Sequence, residues 1–288
     1  MIQALSGQLL LGLINGSFYA LLSLGLAVIF GLLNVVNFAH GSLYMMGAFA
    51  AWFLLSVLGL GYWWALLLAP AAVGLVGVGI ERLLLRRLQG LDNLYGLLLT
   101  FGLTLVAEGL FHQAYGNSGQ SYPVPAALQG GVRLGFMYLP IYRVWVVVVS
   151  IVVCGVSWFV IERTKLGSYL RAGTENPRLL QAFGVNVPLM FTLTYGFGAA
   201  LAAFAGVMAA PIYQVQPLMG SSLVIVVFAV VVIGGMGSIA GSIVTGLGLG
   251  LLEGVTKFVY PEASAVIVFL VMAGVLLVRP AGLFGRER

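Results

Sequence analysis

Val144-Trp-Val-Val-Val-Val-Ser-Ile-Val-Val-Cys-Gly-Val-Ser-Trp-Phe-Val-Ile161 is an 18-residue run without one charged side chain, closed by Glu162, Arg163 and Lys165. As a helix rising about 1.5 Å per residue, some 20 residues of this kind cross a hydrocarbon layer about 30 Å thick. Similar stretches recur near 8–32, 40–58, 62–85, 94–112, 143–162, 189–210, 221–235, 239–257 and 263–280. The whole chain of 288 residues is 61% hydrophobic and 7% charged, with a mean hydropathy of +1.09, whereas soluble domains carry about a quarter charged residues. These numbers exclude a soluble domain. They predict an all-α polytopic membrane bundle of eight or nine transmembrane segments, with discontinuous helices where 221–235 is short and where polar Asn34 to Gly47 interrupts an apolar run.

Forty glycines fit helices that approach closely within a membrane. Small residues recur every fourth position at Gly12 and Gly16, at Ala202, Gly206 and Ala210, and at Gly246, Gly250 and Gly254, marking faces that close inside the chain or against a companion subunit. Cys154 stands alone, so no disulfide or cysteine-based metal site is expected. No Lys or Arg precedes the first apolar run, which reads as a retained span and not a cleaved signal. Residues 116–142 are rich in Gly, Pro, Ser, Gln and Tyr and read as an external loop. They divide a single transmembrane domain, 1–288, into a half of about 1–115 and a half of 143–288.

Ten of the 13 basic residues sit in three places: Arg82, Arg86 and Arg87; Arg163, Lys165, Arg171 and Arg178; and Arg279, Arg286 and Arg288. The positive-inside tendency puts all three on the cytoplasmic side. Nine crossings, with the N-terminus periplasmic and the C-terminus cytoplasmic, satisfy every assignment. Trp52, Tyr62, Trp63 and Trp64 then fall at the outer interface as an aromatic belt. The net charge of +5 is too sparse for a nucleic-acid surface.

The stretch 164–188, TKLGSYLRAGTENPRLLQAFGVNVP, is too polar to span. Asn176 is placed to cap a two-turn helix that begins at Pro177, where a missing N–H costs nothing, and Gly184 is placed to end it. Leu179, Leu180 and Phe183 share one face, while Arg178 and Gln181 lie off it. Such an apolar knob suits either a groove on a partner protein or the membrane headgroups.

Several motifs decide between these. Arg171-Ala-Gly-Thr-Glu-Asn-Pro177 with Gly184-Val-Asn-Val187, Asn34-Val-Val-Asn-Phe-Ala-His-Gly41, Gly234-Gly-Met-Gly-Ser-Ile-Ala-Gly241 and Arg279-Pro-Ala-Gly-Leu-Phe-Gly285 occur in one order along the chain. Together they resemble permease subunits of bacterial ABC importers for branched-chain amino acids, over about residues 15–285. The resemblance implies a path shared with a second related permease, two cytoplasmic ATPase subunits, and a periplasmic binding protein that selects and delivers substrate. It implies that Arg171, Glu175, Asn176, Pro177, Leu180 and Gly184, with Leu179 and Phe183 beside them, contact the ATPase. No GxxxxGK[ST] phosphate loop occurs in the chain, so ATP hydrolysis is expected in a partner and this chain is expected not to be an enzyme. No cofactor or metal is expected.

Polar groups inside the bilayer mark helix contacts or a pathway. Asn34, Asn37, His40, Ser42 and Tyr44 are the densest such group, and a helix break there would expose backbone groups to a cavity. His40 reads either as a donor between helices or as a path residue. Gly235 and Ser238 lie in a second break, read as close packing or as part of the path, and the order of span, break and helix suggests a repeat. Tyr213 completes the set of candidate path residues. Glu108 with His112 and Glu253 with Lys257 read as i, i+4 pairs near an interface, and none of the eight acids is expected near mid-bilayer. That disfavours the alternatives of an ion-coupled carrier or channel. An intramembrane enzyme is weaker still, since neither His stands in an HExxH or GxSxG setting. Leucine-like amino acids lead as substrate, with other amino acids or urea as alternatives.

Overall fold

The computed structural model describes residues 2–33, 36–88, 90–133, 135 and 138–285, and it places the Val144–Ile161 run inside one helix, α5 (Ile141–Arg163). Each of the other expected apolar runs also carries a helix. These are α1 (Ile2–Leu33), α2 (Ala39–Ser56), α3 (Tyr62–Leu83), α4 (Asn93–Tyr115), α8 (Val187–Ala209), α9 (Ser221–Gly234), α10 (Ile239–Val259) and α11 (Ile267–Val278). Two further helices, α6 (Lys165–Glu175) and α7 (Pro177–Ala182), fill the polar segment between α5 and α8. The fold is an all-α polytopic membrane bundle. Six helices, α1, α3, α4, α5, α8 and α10, are long and apolar enough to cross a membrane on length and composition. Shorter apolar helices occupy 221–234 and 267–278, and α2, with 18 residues, opens on the polar side chains His40, Ser42 and Tyr44.

The chain forms two compact units. One comprises the residues up to 24, residues 123–156 and those from 226 onward. Within it, the glycine faces of α1 and α10 meet each other. A Cβ on Gly12 would stand 3.1 Å from the Gly254 Cα, and one on Gly16 would stand 3.0 Å from the Leu247 carbonyl oxygen. Substitution would push the backbones apart, so close contact depends on small residues at both faces. Alongside, the Tyr19 hydroxyl donates to Glu253 at 2.8 Å, and Lys257 pairs with the same carboxylate at 2.5 Å. The expected Glu253–Lys257 pair is therefore present and has gained a third member. A short antiparallel hairpin, β1 (Gly131–Arg133) with β2 (Tyr138–Pro140), lies in the loop.

The second unit comprises residues 25–122 and 157–225. Here α8 is the central helix, with α2 and α3 packed against it. Gly206 faces the Tyr44 carbonyl and Ala48 N–H of α2, and a Cβ on Gly77 of α3 would stand 2.5 Å from the Ala199 methyl. Hence both small-residue faces of α8 and α10 are consumed inside the chain. On the other side of α2, Phe49 stacks on Tyr115 of α4 at 4.7 Å between ring centroids. The loop start is pinned by a two-way backbone bridge, Gln120 to Val215, with N–H to O distances of 2.8 and 3.0 Å. Tyr122 is buried against Tyr62, 6.5 Å between centroids, and burial first and then that neighbouring phenol push its hydroxyl up to about 12. Trp63 and Trp64 are exposed, as a belt requires, but Tyr62 is buried and serves as a packing residue.

Candidate functional site

The first group of polar candidates gathers in the unit built on α8. The interruption is shorter than the sequence implied: α1 runs to Leu33 and α2 begins at Ala39, so His40, Ser42 and Tyr44 lie in regular helix and not in a break. Asn34 lies outside the described residues. Asn37, His40, Ser42 and Tyr44 are all buried. The chain turns into α2 without a side-chain cap of its own. Thr100 of α4 fills that role, taking the Phe38 N–H at 3.2 Å and standing 3.2 Å from the Val36 carbonyl. His40 is folded against Gly25 of α1, where an added Cβ would meet its Cε1 at 3.0 Å.

Behind these residues α8 and α3 supply more polar side chains. Tyr195 is buried beside the Asn37 amide and the Glu81 carboxylate. Its hydroxyl, like both atoms of the amide, has no hydrogen-bond partner among the described residues. Glu81 is 0% exposed, and its Oε2 accepts from the Thr192 hydroxyl while Oε1 has no hydrogen-bond partner among the described residues. Both amide atoms of Asn37 and the Ser42 hydroxyl are likewise buried and unpartnered there. A desolvated polar atom without a partner costs about 1–3 kcal/mol, so so many in one place suit a site that meets water or solute in another conformation. Tyr213 is exposed and lies near Tyr44.

Gly235 and Ser238 belong to the other unit. Gly235 has φ +100°, and a Cβ there would stand 2.5 Å from the Gly285 amide nitrogen. Ser238 caps α10, its Oγ accepting from the Gly241 N–H at 3.1 Å. The Leu283 and Phe284 N–H groups donate to the Ile233 and Gly234 carbonyls at 2.8 and 3.2 Å, tying the Arg279–Gly285 motif onto the break. Among the described residues, turn geometry and close packing account for the contacts of Gly235 and Ser238.

The segment after α5 folds as expected at its centre. Asn176 caps α7 by accepting from the Leu179 N–H at 3.0 Å, Pro177 opens the helix, and Gly184 at φ +84° ends it. The apolar face is smaller than its spacing implied. Leu180 is only 7% exposed and packs near Gly173, because α6, absent from the sequence reading, lies beside α7 and takes that side chain. Leu179 and Phe183 remain exposed, Phe183 at 77%. Arg171 pairs with Glu162 at 3.1 Å across the α5–α6 joint, and Glu175 is exposed at the end of α6. A capped helix with two bare apolar side chains thus stands between two membrane helices, α5 and α8.

Residues 8–276 match the family described as the branched-chain amino acid transport system permease component. The chain belongs to that family. The permease is 32% identical to the high-affinity branched-chain amino acid transport system permease protein BraD of Pseudomonas aeruginosa, over 97% of this chain and 95% of that one. It is 29% identical to the corresponding LivH protein of Escherichia coli over the same shares of each. A probable branched-chain amino acid transport permease of Methanocaldococcus jannaschii is 27% identical over 95% of this chain and 90% of its own. No solved structure matches the permease.

Four residues in or beside this buried group, Tyr195, Glu81, Thr100 and Thr192, escaped the sequence reading. Glu81 precedes Arg82 at the basic end of a span, where no local pattern sets it apart; only the packing of α8 over α3 buries it. Thr100 and Thr192 looked like ordinary helix residues, and nothing local distinguishes a hydroxyl that reaches another helix. Glu108 is corrected as well. Its Oε1 accepts from Ser221 at the start of α9, so the carboxylate is held by a neighbouring helix and not by His112.

Proposed function

We propose that this permease is the transmembrane subunit of an ATP-driven importer that moves branched-chain amino acids, or similar small polar solutes, across a bacterial inner membrane. It works with a second related permease, two cytoplasmic ATPase subunits and a periplasmic binding protein, and itself performs no chemistry. The N-terminus is periplasmic and the C-terminus cytoplasmic, because the basic ends of α3 and α5 and the Arg279 end then share the cytoplasmic side. The whole of 1–288 acts as one transmembrane domain.

The observation that carries the mechanism is α7. It is too short to be stable alone, yet it is capped at both ends, anchored by Leu180, and presents Leu179 and Phe183 outward. Closure of the ATPase pair on this knob displaces α7, and α8 follows because only residues 183–186 separate them. Since α8 is the packing centre of its unit, that motion reaches α2, α3 and the buried group Asn37, His40, Ser42 and Tyr44, which we assign to the substrate path together with Asn34 and Tyr213. Gly235 and Ser238 act as a hinge for α10. Arg171, Glu175, Asn176, Pro177 and Gly184 shape and orient the contact.

The test replaces Leu179 and Phe183 together by Asp. Both are exposed, so the variant inserts and folds, while uptake falls by at least about tenfold and ATPase subunits no longer co-purify. Unchanged uptake would remove the coupling role. Uptake that continues without any ATPase subunit would favour an ion-coupled carrier instead.

A further inference from the structure

A pocket of about 140 Å³ opens between the end of α3 and the start of α8, lined by Arg82, Arg86, Asn186, Leu189 and Thr192. Neither arginine has a carboxylate within ion-pairing distance among the described residues. The nearest acid in sequence, Glu81, is turned into the core and engaged by Thr192. Asn186 carries no charge, and its side-chain oxygen accepts the Leu189 N–H at 3.1 Å to cap α8. Two guanidinium groups in one concavity, unneutralised, call for an oxyanion.

Size and surroundings narrow the oxyanion further. The volume is well under the roughly 300–1,000 Å³ of pockets that enclose a whole small ligand, so it holds one charged group of a larger molecule. Leu189, on its rim, begins an exposed stripe that continues at Leu193 and Phe197, each four residues on and therefore on one face of α8. That stripe runs from the pocket along a membrane-crossing helix, as an acyl chain would. We propose that the pocket binds the phosphate of a phospholipid in the leaflet on the α7 side, with one acyl chain along Leu189, Leu193 and Phe197. The lipid phosphate then joins Arg82 at the end of α3 and Arg86 in the turn after it to the first turns of α8, next to the coupling helix, whichever solute the permease carries.

The test is native mass spectrometry of the intact transporter complex, taken from membranes and exchanged into nanodiscs of phosphatidylglycerol and phosphatidylcholine. Wild-type permease retains phosphatidylglycerol. Each Arg→Gln change lowers its occupancy about fivefold, and R82Q/R86Q lowers it about 25-fold, from the strength of one basic residue at an anionic surface. R82K/R86K keeps the charge and retains more lipid than the Gln pair, and Leu193→Ser weakens retention without altering charge. Equal retention by wild type and R82Q/R86Q would overturn the proposal. So would displacement of the lipid by millimolar glycerol phosphate or inorganic phosphate, which would make this a site for a free anion. Uptake is measured separately, so loss of lipid binding is not confused with failure of the transport reading.

Discussion

Two helix junctions that look alike in sequence are held in opposite ways. Residues 36–38 lead into α2 and residues 235–238 lead into α10, and both join an apolar helix to a glycine-containing one. At the second junction the polar groups are matched: Ser238 caps α10, and the Leu283 and Phe284 N–H groups of the C-terminal motif cover the carbonyls at the end of α9. At the first, Thr100 is borrowed from α4 to hold the backbone, while Asn37 and Ser42 stay buried without hydrogen-bond partners among the described residues. A polar junction whose groups are matched is a structural hinge; one that keeps buried polar groups unmatched bears a cost that water or solute reaching them recovers.

The strongest way to break this contrast is Gly235→Val. Its φ of +100° excludes a β-branched residue, and the Cβ would collide with Gly285. Backbone strain and overpacking together predict a loss of about 3 kcal/mol or more, read as a sharply lower unfolding temperature in detergent and poor recovery from membranes. A stable Gly235→Val protein would show that the C-terminal motif does not hold this junction.

Asn37→Leu probes the other junction with the reverse expectation. Removing an amide whose two atoms have no hydrogen-bond partner among the described residues leaves thermal stability unchanged or raised. Uptake falls by about tenfold, the size of one hydrogen bond to solute or water lost along a path. If melting temperature and uptake dropped in parallel, Asn37 would be a structural residue and the contrast would fail. The smallest effect is Ser238→Ala, which costs about 1 kcal/mol for one helix cap and lowers uptake per folded molecule less than Asn37→Leu does. Thermal melting together with uptake normalised to folded protein checks both halves of that statement.

Apolar runs made the helices legible because lipid leaves a backbone few options: with no water to bond, each run must satisfy its own N–H and C=O groups. The same holds for α7, where Asn176, Pro177 and Gly184 act within a few residues of one another. Legibility ended where partners are distant in sequence. Leu180 shares a helical face with Leu179 and Phe183, yet α6 buries it, and no local spacing reveals a neighbour helix. Glu81 sits in sequence beside Arg82 and in space beside Thr192, 111 residues away. His40, Ser42 and Tyr44 were placed in a break because polar residues weaken an apolar pattern, whereas burial against α8 lets the helix begin just before them.

By itself the sequence determined that this chain is a membrane bundle of apolar helices, that a capped two-turn helix stands between two of them, and which family it resembles. These follow from composition, periodicity and contiguous motifs, all local in the chain. Tertiary structure decided which glycine faces close on each other, which apolar side chains of α7 remain exposed, and that Glu81, Tyr195 and Thr192 join Asn37 in one buried group. It also set Arg82 and Arg86 against the start of α8. Those outcomes depend on helices far apart in sequence meeting in space, and contact between them is set by packing.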